Sequence, residues 1–334
     1  MLNIAVVGAG SWGKNLVRNF ASLPHAALYC VCDKDAERLK ATAAAYPQAR
    51  TTSDLDDVLS DGKVDAVVIA TDAKFHYEHA GAALRAGKHV YVEKPMCQRV
   101  DEAEKLVESA NSGDRKLMVG HLLLYHPAVT RLKGMVDSGE LGEIYYMYTQ
   151  RLNLGVVRSN ENAWWSLAPH DISVVNFLFG DTPERVSAQG QCYLQDGIED
   201  VVFATLYFGD GRMAQIHTSW LDPHKMRRMT IVGSQKMVTF DDMEAAEKVK
   251  VYDKGATPNL SYSSYGEAIT LRQGDIYIPR ISTAEPLKLE CEHFVRCILE
   301  DEPATSDAEN GLNVVRVLEA GRRSIAGGGR PEEV

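Results

Sequence analysis

What this sequence lacks narrows the field first. Its 334 residues include six cysteines but no C-x-x-C pair. Neither a zinc ribbon nor a disulfide framework fits, and reduced thiols in the cytoplasm are expected. Apolar runs stay strand-sized, Ala66–Ala70 being typical, so no membrane span is expected. The chain opens on a strand-like Leu2–Val7 without a basic region and long apolar stretch, so a secretory leader is not expected either. Positive charge is in deficit: 36 Lys and Arg stand against 46 Asp and Glu, net −10. That argues against nucleic acid as a partner. His121, His217 and His224 show no metal-ligand spacing, and no metal site is expected. What remains is 45% hydrophobic and 25% charged, an ordinary globular composition with material for two cores.

The first third alternates strand and helix. Asn3–Val7, Ala27–Cys32, Asp65–Ala70, His89–Val92 and Leu117–Val119 read as short apolar strands. Between them lie helical stretches at about 12–21, 35–46, 75–86 and 101–111. This order predicts a doubly wound parallel sheet over residues 1–121, a Rossmann-type α/β domain. From 122 onward a helix at 127–138 precedes strands at 144–151, 185–195, 201–208, 213–220, 228–232 and 237–240. Gly209-Asp210-Gly211 reads as a hairpin turn. Residues 122–334 are therefore expected to form an α+β domain with an open, mostly antiparallel sheet. A helix is expected at 169–179, opened by Pro169, and closing helices at 285–299 and 306–324. Ser306 with Glu309 reads as a capping box, and the glycine-rich tail from Gly327 as frayed. One sheet face has no evident helical cover, which predicts a homodimer or homotetramer.

Gly8-Ala9-Gly10-Ser11-Trp12-Gly13 matches G-x-G-x-x-G, between a strand and a helix. The first glycine permits the turn, the second lets backbone approach a pyrophosphate, and the third lets helix and strand pack. The helix N-terminus then offers unpaired N–H groups to phosphate. Asp33 follows the second strand, 20 residues beyond Gly13. Its carboxylate can accept from ribose hydroxyls and repel a 2′-phosphate, favouring NAD over NADP. Lys34 and Arg38 lie close by and work against that preference. The plainer reading of Asp33 is a helix cap.

Glu93-Lys94-Pro95 follows the strand at 89–92. Together with the glycine loop and the antiparallel second half, it resembles the Gfo/Idh/MocA oxidoreductase family over essentially the whole chain. Thr71 and His76 look like the family's T-P-x-x-x-H segment, with Asp72 in place of the proline. The resemblance implies that Thr71, His76 and Glu93 help hold the cofactor. It also implies that Lys94, at the C-terminal end of a parallel strand, binds the sugar hydroxyl and helps remove its proton. Counting back from Gly180, His170 falls on the family histidine, the second catalytic residue implied. Ser166 and Ser173 stand where the family usually carries aspartates. His170 must then be oriented by Asp171, Ser173 or substrate. Behind Pro169 at a helix start, it is expected in the first turn, where the helix field favours neutral imidazole.

The segment Arg151–Gly155, Arg158, Glu161-Asn162, Trp164-Trp165 and Ala168–Ser173 is similar to the nucleotide-sugar branch of that family. That implies a diphosphate or carboxylate on Arg158, and hydroxyl or acetamido groups read by Asn153, Glu161 and Asn162. Trp165 or Trp164 would wall the nicotinamide or sugar. The plainer reading has these polar residues in solvent and the tryptophans in the core. The expected activity is NAD-dependent oxidation of a sugar hydroxyl, foremost the C3 hydroxyl of UDP-N-acetylglucosamine. The rivals are its uronate, a free sugar or polyol such as inositol, and a non-catalytic NAD-binding regulator.

Overall fold

The computed structural model describes residues 1–258 and 269–334. It contains two compact units, Met1–Tyr125 with Ala284–Arg316, and His126–Thr283 with Val317–Val334. The first crossing between them lies after Tyr125. The return of Ala284–Arg316 to the first unit has no counterpart in a reading by consecutive blocks.

The first unit is built on a parallel sheet of β1 (Leu2–Val7), β2 (Ala26–Cys32), β3 (Arg50–Thr52), β4 (Ala66–Ile69), β5 (His89–Glu93) and β6 (Leu117–Gly120). Their order is β3-β2-β1-β4-β5-β6, so the winding reverses between β1 and β4. Helices α1 (Gly13–Ser22), α2 (Ala36–Ala45), α3 (Asp56–Leu59), α4 (His76–Arg85) and α5 (Val100–Ser112) connect the strands. All four residues of β4 and all four of β6 are buried, as a sheet covered on both faces requires. Cys30 and Cys32 are core residues, as their spacing suggests. β3 and α3 escaped the sequence reading because pieces of three and four residues carry no periodicity.

The second unit begins with α6 (Pro127–Asp137), β7 (Ile144–Leu154) and α7 (Ala163–Phe179). β8 (Arg185–Gln191), β9 (Val201–Tyr207), β10 (Met213–Ser219), β11 (Leu221–Gly233), β12 (Met237–Asp241), β13 (Val249–Pro258) and β14 (Ile269–Tyr277) follow. The chain ends through α8 (Pro286–Leu299), α9 (Ala308–Ala326) and β15 (Glu332–Glu333). β7 to β15 form one nine-stranded sheet, β14-β13-β12-β11-β7-β10-β9-β8-β15. β7 and β10 run parallel and the remaining neighbours antiparallel. Val202, Ala204 and Leu206 of β9 and Ala214 and Ile216 of β10 are buried, and β10 is the sheet's principal contact with α7. On the opposite face, Tyr146, Met213 and Tyr207 lie side by side in register. Tyr146 and Met213 are exposed, as are Tyr148 and Phe203.

Three local expectations change. α7 starts at Ala163, not Pro169, because the Asn162 side chain accepts from Trp165 N–H and caps it. Pro169 lies inside the helix, and His170 behind it is outside the first turn. Ser306 is not a cap: its hydroxyl donates to the Val119 carbonyl at 2.7 Å, and Asp307 instead accepts from Asn310 N–H. The glycine-rich tail is docked: Ser187 Oγ donates to the Gly329 carbonyl, and β15 pairs with β8.

Candidate functional site

In the first unit the glycine loop leaves β1 where the sheet order reverses. Gly8 has φ +96° and donates its N–H to the Cys32 carbonyl. A Cβ on Gly8 would lie 2.6 Å from the Ala70 carbonyl oxygen, and one on Gly13 would lie 1.9 Å from that of Gly8. Only glycine fits either position, so α1 meets β1 as a dinucleotide loop requires. Asp33 is buried and accepts from Ala9 N–H at 2.6 Å and Asp35 N–H at 2.9 Å. The cap of α2 is Asp35, whose carboxylate accepts from Glu37 and Arg38 N–H. Asp33 thus keeps lone pairs for a ribose, although Arg38 Nη1 stands 3.6 Å away. Loop, helix N-terminus and acid fit a bound dinucleotide.

Glu93 ends β5 and ties this loop to Lys94. Its Oε1 accepts from the Trp12 indole N–H at 2.5 Å and the Tyr91 hydroxyl at 3.4 Å, and its Oε2 from Lys94 N–H. Burial pushes the Glu93 carboxyl above its ordinary range, while Trp12 and Lys94 pull it back. The half-exposed Trp12 ring is thereby held by its polar edge. The Lys94–Pro95 peptide is cis. His76 Nδ1 lies 2.7 Å from the Pro95 carbonyl oxygen and Nε2 3.0 Å from that of Thr71. Both ring nitrogens of His76 face backbone, so it joins the turns after β4 and β5. Thr71 Oγ1 meets His79 Nδ1 at 3.2 Å.

In the second unit, side chains hold one another. Arg151 on β7 makes a buried two-point pair with Asp171, Nε–Oδ2 at 2.6 Å and Nη2–Oδ1 at 3.2 Å. Asp171 is therefore committed to Arg151. Ser173 Oγ donates to the His170 backbone carbonyl, not to its ring. Arg158 Nε pairs with Glu161 at 2.9 Å, and its carbonyl accepts from Gln195. Asn162 spends its oxygen on the α7 cap and donates Nδ2 to Glu199 Oε2 at 2.5 Å. Trp164 is fully buried and donates to the Leu318 carbonyl. Trp165 is buried in the first turn of α7. Asn153 is partly exposed near the end of β7, against Gly155.

The sequence reading missed Arg151 as the partner of Asp171, Glu199 as the partner of Asn162, and His79 beside Thr71. No local motif announces them, because each pairing joins positions on different elements or turns. Among the described residues no cluster of His, Cys, Asp and Glu could hold a metal ion.

Residues 2–121 match the model of the Gfo/Idh/MocA oxidoreductase family, NAD-binding Rossmann fold. Residues 129–239 match the model of that family's C-terminal domain. UDP-N-acetylglucosamine 3-dehydrogenase of Acidithiobacillus ferrooxidans is 27% identical over 317 residues, covering 94% of each chain. Myo-inositol 2-dehydrogenase of Thermotoga maritima is 22% identical over 335 residues, 97% of this chain and 96% of the relative. The structure of GenD2 from gentamicin A biosynthesis, in complex with NAD, superposes with a TM-score of 0.83 at 25% identity. It spans 100% of this chain and 96% of its own.

Proposed function

We propose that this chain, which belongs to the Gfo/Idh/MocA family of oxidoreductases, oxidises a sugar hydroxyl with NAD, foremost the C3 hydroxyl of UDP-N-acetylglucosamine. The observation that carries this reading is the join at the end of β5. Glu93 is bonded to Trp12 of the glycine loop, and Lys94 follows it directly. A lysine so placed lies where ligands of open α/β sheets bind. NAD, when bound, supplies the hydride acceptor at its nicotinamide ring. The Gly8–Gly13 loop and α1 hold its phosphates, and Asp33 its ribose. Lys94 hydrogen-bonds the substrate hydroxyl and takes its proton. His170 is assigned a second proton-handling role on its place in the motif.

The nucleotide sugar is supported by the Acidithiobacillus relative, matched over 94% of both chains, and by the run from Arg151 to Ser173. Arg158 stands for the diphosphate, and Asn153, Glu161 and Asn162 for the sugar. The Arg158–Glu161 pair favours a second reading, a free polyol, because the guanidinium already carries a carboxylate. The Thermotoga relative lends that reading its chemistry. The buried thiols Cys30, Cys32, Cys97, Cys291 and Cys297 suit a reducing, cytoplasmic setting. The exposed Tyr146, Tyr148, Phe203 and Met213 suit a sheet face covered by a second copy, as a homodimer or within a homotetramer.

The deciding experiment incubates purified protein with NAD or NADP and a panel of UDP-sugars, hexoses and inositols, following reduced cofactor by absorbance. Turnover of UDP-N-acetylglucosamine with NAD is expected. Turnover of free polyols alone selects the second reading. Cofactor binding without turnover of any panel member would make the protein a regulator.

A further inference from the structure

His121 draws no attention in the sequence, a lone histidine after a strand. The structure gives it an unusual setting within the first unit. β5 and β6 are parallel neighbours, and Glu93 is in register with Gly120. Lys94 and His121 are therefore the next residues at the same end of adjacent strands. The histidine is 1% exposed. Its Nδ1 lies 2.7 Å from the Asn310 carboxamide oxygen, which can only accept. The proton is thus on Nδ1, and Nε2 carries a lone pair. That Nε2 is buried and has no hydrogen-bond partner among the described residues.

We infer that His121 is a positioning residue for Lys94, its Nε2 lone pair accepting one N–H of the Lys94 ammonium. An N–H remains on Lys94 as the neutral amine, so the bond to His121 holds in both protonation states and turns the amine lone pair, which takes the proton, toward the substrate hydroxyl. The inference rests on the reading of Lys94 as the proton-handling residue. Three observations carry it. A buried acceptor left without a donor is costly, so a donor nearby is expected. The Lys94 charge is close enough to act on the imidazole, and with burial as the larger cause it holds His121 down to about 4. His121 is thus a neutral acceptor across the working pH range. Finally, Asn310 lies in the first turn of α9, where its own N–H donates to Asp307 at 2.8 Å. The tautomer is set from a rigid element. The other titratable groups at this strand end are Tyr91 and Glu93, both against Gly120.

The test uses full-length protein with nitrogen-labelled histidine. The His121 ring signals, assigned by their loss in His121→Asn, are expected to show the Nδ1–H tautomer. Replacing Lys94 with Met should move the Nε2 signal and leave Nδ1 in place. In kinetics, His121→Asn keeps a donor for Asn310 but offers nothing at the Nε2 position. It should lower kcat roughly tenfold, the modest end of what a group assisting general acid–base catalysis contributes. It should also move the pH limb assigned to Lys94 toward acid by about one unit, since an ammonium that loses an acceptor deprotonates more readily. His121→Gln restores an acceptor at that distance and should recover most of both effects. NAD affinity should stay within about twofold, because the phosphates rest elsewhere. An Nε2–H tautomer, an Nε2 signal indifferent to Lys94→Met, or an unmoved pH limb would each overturn the inference. A responsive Nε2 in a protein that oxidises no sugar would uphold it and sink the proposed activity instead.

Discussion

The two units hold their functional residues by different means. In the first, backbone does most of the holding, with Trp12–Glu93 and His121–Asn310 as side-chain pairs beside it. Asp33 accepts from two main-chain N–H groups, His76 faces two main-chain carbonyls, and Gly8 and Gly13 fit because a Cβ would strike main-chain atoms. In the second, side chains hold side chains: Arg151 with Asp171, Arg158 with Glu161, Asn162 with Glu199. A backbone-built site survives most substitutions elsewhere and suits a cofactor that never changes. A site of paired side chains can be re-cut by single replacements, which suits a substrate that does. On the proposed reading, the pairs of the second unit are where substrate specificity is to be sought.

The sharpest way to break this comparison is to remove chemistry from each unit in turn. Lys94→Ala and His170→Ala should each lower kcat by about 10²–10⁴-fold, with KM changing far less, because proton transfer acts in the transition state. Lys94→Met should be nearly as damaging, since length without charge moves no proton. NAD affinity, followed by calorimetry, should hold in all three. A large loss of NAD affinity in Lys94→Met would mean that the lysine serves the cofactor.

Next in size is the buried Arg151–Asp171 pair. Asp171→Asn leaves the largely buried Arg151 guanidinium without its carboxylate. Breaking such a pair by removing one partner costs about 3–5 kcal/mol. The urea midpoint should fall accordingly, and Arg151→Met with Asp171→Leu should restore much of it. Single losses that simply add in the double variant would show that the pair is not a unit.

That pair also marks how far a sequence can be read. The glycine loop, Asp33 and Glu93-Lys94-Pro95 were legible because each puts its chemistry into a few consecutive residues beside a strand. The parallel and antiparallel halves were legible from apolar periodicity. Arg151 and Asp171 meet only because β7 packs beside α7, and no spacing rule links them. Pro169 misled because proline usually marks a helix start, whereas Asn162 had already capped α7. Asn162 itself was ambiguous, since the same amide caps a helix or reads a hydroxyl.

The first unit also buries a carboxyl that backbone does not hold. Glu290 on α8 is fully buried, with the Tyr91 hydroxyl as its polar neighbour and no main-chain group among the described residues holding its carboxyl. Burial, and then the Glu93 charge, push its carboxyl well above the ordinary range. Folded protein therefore keeps this proton at pH values where unfolded chain has released it. The sign follows: Glu290 costs nothing below its unfolded value of about 4.3, and stability falls by about 1.4 kcal/mol per pH unit above it. The fall continues until the folded group titrates. Glu290→Gln carries no such slope. Its stability relative to the parent should grow as the pH rises above the unfolded value, read from urea unfolding at each pH. A difference that does not change with pH would show that Glu290 is ionised in the fold.

The smallest effect tests the second unit most finely. If side-chain pairing is what holds that unit, Asn162 is first a structural residue. Its oxygen caps α7 and its amide nitrogen holds Glu199. Asn162→Ala removes both bonds and should cost about 1 kcal/mol for the cap, with a little more for Glu199. Asn162→Asp keeps the cap acceptor but sets a second carboxylate against Glu199. It should be as destabilising as alanine near neutrality and recover as the pH falls toward carboxylate protonation, because like charges at that distance repel. If Asn162 instead reads the sugar, alanine should raise KM while the urea midpoint stays put, and Asp should show no recovery in acid. The two readings differ in which number moves, so one variant measured both ways separates a residue that holds the site from one that touches the substrate.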